Sequence, residues 1–175
     1  MVVSKGKTIF VGDTSVNEYP SSEELAEIAI STARVVRLFG FEPKVAFVSH
    51  STFGQPLTSR TKHIRKAVDI LKEQKVDFEF DGDMQPDVAL DSEYKELYPF
   101  SNIVGKANIL IMPGQHSAAI SYKMMKTLGD TKVIGPLLIG LGLPIEIAPL
   151  RSSTSELINL ASVAAYSADI IDYKK

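Results

Sequence analysis

The sequence predicts an α/β protein of three layers, a largely parallel sheet flanked by helices. Short apolar runs, Lys44 to Ser49 and Ala107 to Met112, have the length and composition of buried strands. Other stretches repeat apolar residues at helical spacing, as Leu25, Ile28, Thr32, Val35, Val36 and Phe39 do. The two kinds of segment alternate. Alternation implies right-handed crossovers between parallel strands, with helices on both faces of the sheet.

Thr8 to Val11 reads as the first strand and Gly12 to Pro20 as a loop. Ser21 and Glu24 form a capping box, the hydroxyl accepting from a first-turn N–H while the carboxylate reaches back. Gly40 ends the helix they begin. Lys44 to Ser49 is the second strand, and His50 to Ser59 a polar loop with Gly54 and Pro56. Ile64, Ala67, Val68 and Leu71 mark the inner face of a second helix. Asp77 to Phe80 reads as a short, acidic edge strand, and Asp81 to Tyr98 as irregular or weakly helical. Ala107 to Met112 is the clearest buried strand. In the next helix Ile120, Met124 and Leu128 form the expected inner face. Val133 to Leu141 and Ile145 to Ala148 are further strand candidates, and a last helix runs from about Thr154 to Ile171, with a frayed tail behind it. That helix is apolar nearly all round, through Leu157, Ile158, Leu160, Ala161, Val163, Ala164 and Ala165. Such a helix needs cover on more than one side, from a partner subunit and from a further part of the same protein.

The 175 residues fit one domain, able to bury roughly 70% of the surface of the unfolded chain. Apolar residues make up 45% and charged ones 23%, as in ordinary globular proteins. A net charge of −2 gives no reason to expect a nucleic-acid partner. With no cysteine there is neither disulfide nor thiol catalysis, which suits a reducing compartment. No apolar run nears the roughly 18 residues that span a bilayer, and the N-terminus lacks a signal peptide's apolar core. The expectation is a cytoplasmic protein without a membrane partner. The chain enters a strand almost at once, as a segment cut from a longer protein would.

Few motifs carry chemistry alone. Gly140-Leu141-Gly142 resembles part of a dinucleotide fingerprint, yet it lacks the third glycine and opens no helix, so it reads as a tight turn. His50, His63 and His116 lie on different elements without metal-ligand spacing, and no metal site is expected. Asp81, Asp83 and Asp87 match no calcium loop and read as an acidic, solvated turn. Arg60, Lys62, His63, Arg65 and Lys66 read as the exposed face of the second helix. The run from Ser49 to Gly54 follows a strand with hydroxyls and a glycine, a layout that suits anions, though it is also an ordinary loop. Lys123, beside Tyr122, either binds an anion or coats the helix surface.

Taken together, ordered motifs give a resemblance. Val11 to Asn17 with Glu23 to Ile28, Glu42 to Ala46, Ser49 to Thr52, Asp81 to Gln85 with Ala89 and Leu90, Gly105 to Asn108, Tyr122-Lys123 and Gly135-Pro136 resemble the phosphate acetyl/butyryl transferases. Ser49 to Ser51 and Tyr98 to Ser101 are more similar to the branch formed by the C-terminal region of bacterial NADP-dependent malic enzymes. The resemblance spans about Phe10 to Asn159 and matches the second half of such a region.

The resemblance implies a fold like that of isocitrate/isopropylmalate dehydrogenase, pairing into a homodimer through this half, and larger assemblies in the full protein. It implies acyl transfer between coenzyme A and phosphate in active members. There a serine–arginine pair precedes the last helix and an aspartate lies in its first turn. Here those positions fall at Pro149, Leu150 and Glu156, with Arg151 one residue late, and His116 and Ala119 stand where the transferases usually have asparagines. Proline and leucine offer neither hydroxyl nor cation, and loss of a general base typically costs roughly 10²–10⁴ in rate. Glu156 also completes a second capping box with Ser153. No catalytic residue is therefore expected. Instead the resemblance implies a regulatory domain that takes acetyl-CoA or another acyl-CoA as effector, with Ser51, Thr52, Tyr122, Lys123 and Arg151 as candidate ligand residues. NADP and a divalent metal would belong to an N-terminal part of the parent, none to this chain.

Overall fold

A computed structural model describes residues 1–141 and 143–170. Gly142, Ile171 and the expected frayed tail lie outside the described residues. The chain folds into two units: Ile9–Ser121, and Met1–Thr8 with the residues from Tyr122 onward.

The larger unit is built on parallel strands. These are β2 (Lys7–Gly12), β3 (Lys44–Val48), β4 (Glu79–Met84) and β5 (Ile109–Ile111). Parallel pairing joins β2 to β5, β5 to β3 and β3 to β4. Side chains alternate across a strand, so β3 sends Val45 and Phe47 to one face and Ala46 and Val48 to the other, all buried. Helices α1 (Ser22–Leu38) and α2 (Ser59–Gln74) pack on the first face. Buried on α1 are Leu25, Ala26, Ala29, Thr32, Ala33 and Val36, so small side chains bring this helix close to the strands. Gly12 marks that closeness, since a Cβ there would stand 3.1 Å from Ile28 Cγ2 and 3.4 Å from Thr32 Oγ1 of the helix. The other face carries Ala46, Val48, Leu110 and Met112 against Ala89 of α3 (Pro86–Leu90), Ile103, Ala107 and Ala118.

Local rules set these boundaries. The Ser21 hydroxyl accepts from Glu24 N–H at 3.1 Å, and Glu24 accepts from Ser21 N–H at 2.6 Å. Thr58 and Thr61 cap α2 in the same reciprocal way. Gly40, at φ +80°, follows the end of α1. The Arg37 guanidinium grips both carboxylate oxygens of Asp77 at 2.9 and 3.0 Å and its carbonyl at 2.9 Å, tying the end of α1 to the segment before β4.

The smaller unit contains β1 (Val2–Ser4) paired antiparallel with β6 (Thr131–Val133), Tyr122 to the end of α4 (Gln115–Leu128), and α5 (Thr154–Ile170). Lys5 and Gly6, at φ +48° and +74°, make the tight turn from β1 to β2.

Several expectations need correction. The strand expected at Asp77 to Phe80 begins two residues later and continues through Asp81 to Met84. Beyond it the stretch read as irregular or weakly helical agrees with that reading, holding a short α-helix and a 3-10 turn, Glu93–Leu97. Asp81 and Asp83 are buried on that strand rather than solvated in a turn. Ile120, Met124 and Leu128 do not form an inner face: all three are exposed, Leu128 by 80%. Of the strands expected within Val133 to Ala148, only Val133 at the end of β6 and an isolated Leu137–Glu146 bridge appear among the described residues.

Candidate functional site

The C-terminal ends of parallel strands are where α/β proteins place ligands. In the larger unit each such end leads into a loop held by hydrogen bonds to carboxylates or backbone. After β2, Asp13 folds the chain over itself, its carboxylate accepting from the N–H groups of Ser15 (3.2 Å), Val16 (2.8 Å) and Asn17 (2.9 Å). After β5, Gly114 lies so close to the Glu18 carbonyl that a Cβ would meet its oxygen at 2.8 Å. The Gln115 N–H, at the start of α4, donates to that carbonyl at 3.2 Å.

The loop after β3 is tied to the end of β4. Ser49 N–H donates to the Met84 carbonyl at 2.9 Å, and Phe53 N–H to the Asp83 carbonyl at 2.6 Å. The Asp83 carboxylate accepts from the Ser51 hydroxyl and, at 3.0 Å, from Gly54 N–H. Thr52 Oγ1 accepts from Gln85 N–H at 3.3 Å. Arg65 of α2 supplies the opposing charge, 3.6 Å from Asp83 Oδ1. A buried carboxylate without such partners would be strongly destabilising.

These loops surround a cavity of about 370 Å³, within the usual range for small-molecule pockets. Its walls include Tyr19, Ser49, His50, Arg60, Met112 and His116, all in the larger unit. Tyr19 stacks on His116 with ring centroids 6.4 Å apart, and His116 Nε2 is 3.9 Å from Glu18 Oε1. Arg60 has no ion-pair partner among the described residues. The walls thus combine an apolar floor with imidazole, hydroxyl and guanidinium groups, which suits a small molecule with an apolar body and a polar or anionic end. Among the described residues no group of three or more His, Asp or Glu side chains is arranged to hold a metal ion.

The candidate ligand residues divide between the units. Ser51 and Thr52 are buried in the larger one, their hydroxyl oxygens engaged with β4 and the residue after it. Tyr122, Lys123 and Arg151 belong to the smaller one, where Lys123 Nζ lies 6.0 Å from the Tyr122 ring centroid and Arg151 is exposed. Pro149 is exposed and Leu150 fully so. Glu156 is engaged on both oxygens. Oε1 accepts from Lys126 at 2.6 Å, and Oε2 from Ser153 N–H at 2.7 Å and Ser153 Oγ at 3.0 Å. The Lys126 hydrogen bond, followed by those from Ser153, lowers its pKa to about 2.

Sequence reasoning missed His50, Arg60 and His116 as walls of one cavity. The available signal was position: His50 and His116 each follow a buried strand within five residues. It also missed Asp83, because a strand containing Asp-Gly-Asp looks solvated until its partners are known.

A family model described as phosphate acetyl/butaryl transferase matches residues 1–165. Over 168 residues the chain is 47% identical to an NADP-dependent malic enzyme of Rhizobium meliloti (strain 1021), covering 96% of this chain and 22% of that protein. Over 162 residues it is 36% identical to a phosphate acetyltransferase of Clostridium acetobutylicum, covering 91% and 49% respectively. The solved EutD phosphotransacetylase from Staphylococcus aureus matches with a TM-score of 0.86 at 28% identity, over 95% of this chain and 52% of that one. The chain therefore spans about half the length of these transferases and less than a quarter of the malic enzyme.

Proposed function

The chain belongs to the phosphate acetyl/butaryl transferase family, and from that premise we propose that it is the transferase-like C-terminal domain of a cytoplasmic NADP-dependent malic enzyme. In this reading the domain responds to acetyl-CoA and helps assemble the enzyme through a homodimer, without transferase activity of its own. The parent oxidises malate to pyruvate elsewhere in its chain, where NADP and a divalent metal bind. In the same reading the fold is of the isocitrate/isopropylmalate dehydrogenase type, as the family's pattern implies.

The observation that carries this reading is the state of Glu156. The family's carboxylate position is occupied, but both oxygens are committed to Lys126 and Ser153, and a carboxylate with a pKa of about 2 is a weak base. Pro149 and Leu150, at the serine–arginine positions, supply neither nucleophile-positioning hydroxyl nor cation. Identity to the Rhizobium malic enzyme, 47%, exceeds the 36% shared with the Clostridium transferase. Regulation further requires that the effector favour one arrangement of the enzyme over another.

The test is calorimetric titration of the protein, in its full natural length, with acetyl-CoA, alongside malate oxidation with and without it. Binding heat with altered malate kinetics is expected; neither heat nor a kinetic change would end the reading. A second reading, an active acyl-CoA:phosphate acyltransferase, is favoured by the exposed Arg151 beside the vacated position and by the likeness to EutD phosphotransacetylase. It predicts acetyl phosphate formation abolished by Arg151→Ala. A third, a dimerisation module without ligand, is favoured by the exposed apolar residues of α4 and α5. It predicts a dimer whose melting temperature no acyl-CoA moves.

A further inference from the structure

Asp83 is wholly buried, yet it does not line the cavity. Its partners explain why an acid stands there. One carboxylate oxygen receives the Ser51 hydroxyl, the other receives Gly54 N–H, and its carbonyl receives Phe53 N–H. All three donors belong to one loop, the one that also delivers Ser49 and His50 to the cavity wall. The loop needs this support, because it turns through two successive left-handed residues, Phe53 at φ +49° and Gly54 at φ +82°. A bulky residue at positive φ is unfavourable and persists only where surrounding contacts over-determine it. The Phe53 ring adds a second anchor, packing on Tyr98 and Phe100 with centroids 5.4 and 4.8 Å away.

The geometry points to Asp83 as a positioning residue of the cavity: it fixes the Ser49–Gly54 loop from beneath, so that Ser49 and His50 face the ligand while Ser51 and Thr52 face inward. Ligand affinity then depends on a side chain that the ligand never touches. The inference rests on the proposed reading that the domain takes an acyl-CoA effector, and it assigns that effector to this cavity. It goes beyond that reading in naming the residue that holds the site in shape. Arg65 has a separate part. Its side chain is 44% exposed and offsets the buried charge, whereas the loop is held by the carboxylate's acceptor geometry.

Two substitutions separate geometry from charge. Asp83→Ala removes both side-chain acceptors. Asp83→Asn keeps an oxygen for Gly54 N–H and places an NH₂ against Ser51, whose hydroxyl can reverse and accept. Val36→Ala, a core truncation on α1, serves as a control for lost stability. In the ligand-free 175-residue chain, the His50 imidazole signals and the Gly54 amide exchange rate are read by NMR. Asp83→Ala is expected to shift the former and speed the latter at least about tenfold, Asp83→Asn to restore both, and Val36→Ala to leave His50 unmoved. Acetyl-CoA affinity is expected to fall about tenfold in Asp83→Ala, to return in Asp83→Asn, and to hold in Val36→Ala. If the unaltered protein gives no binding heat, the functional reading fails while the NMR comparison still decides this one. Unchanged loop signals in Asp83→Ala, or an Asn variant as impaired as the Ala variant, would overturn it. Should Asp83→Ala not fold, Ser51→Ala removes one of the same bonds and is read identically.

Discussion

Glu156 shows how one side chain is held at once by a neighbour along the chain and by a distant partner. Its pKa is lowered to about 2 from an ordinary 4.5, so the folded state binds its proton more weakly than the unfolded chain. Its stabilising contribution is therefore complete above about pH 4.5 and is lost as pH falls through about 2. An NMR titration of the Glu156 carboxyl should show this depressed value, and Lys126→Ala should raise it towards 4.5. Gly82 gives a test on steric grounds. A Cβ there would lie 2.7 Å from Phe47 Cβ and 2.8 Å from the Phe47 carbonyl oxygen, and its φ of +154° disfavours other residues. Gly82→Ala should cost about 1–3 kcal/mol in a urea melt. Of these residues only the Ser153–Glu156 capping box was legible in the sequence, because capping depends on neighbours along the chain. The Lys126 contact, thirty residues away, was not.

Helices declare themselves when their signals are local. The capping box at Ser21 and Glu24 forms as its spacing requires, and Ser21→Ala should lower stability by about 1 kcal/mol, measurable by chemical denaturation. In α2, Ile64, Ala67, Val68 and Leu71 are all buried, as the periodicity demands. In α4 the same argument misleads. Ile120, Met124 and Leu128 repeat at the proper interval, but the repeat identifies an apolar face without naming what covers it. The β4 strand escaped detection beyond Phe80 for a different reason. Its buried acids are matched by Ser51, Gly54 and Asn102, donors that no inspection of residues 79–84 reveals. The cavity walls were obscure on the same account, since loops distant in sequence build them.

The alternation of strands and helices was enough to read the parallel arrangement of the larger unit. The antiparallel β1–β6 pair was not legible, for each strand has only three residues. Large apolar side chains remain exposed at Ile120, Met124, Leu128, Leu157 and Ile158. Exposed apolar surface of this kind marks interaction sites, in keeping with the proposed homodimer. Light scattering should report a dimer, and the double substitution Met124→Lys with Leu128→Lys should shift it towards monomer while leaving helicity unchanged.

The acids of β4 have one more consequence, for solubility. An outermost strand offers unpaired backbone groups to any passing chain, and carboxylates turned inward make such recruitment costly, because an added strand would have to accommodate them. Replacing Asp81 by valine would remove one of these inward carboxylates and add a β-branched residue next to Phe80. Thioflavin fluorescence on prolonged incubation should then rise faster than for the unaltered protein.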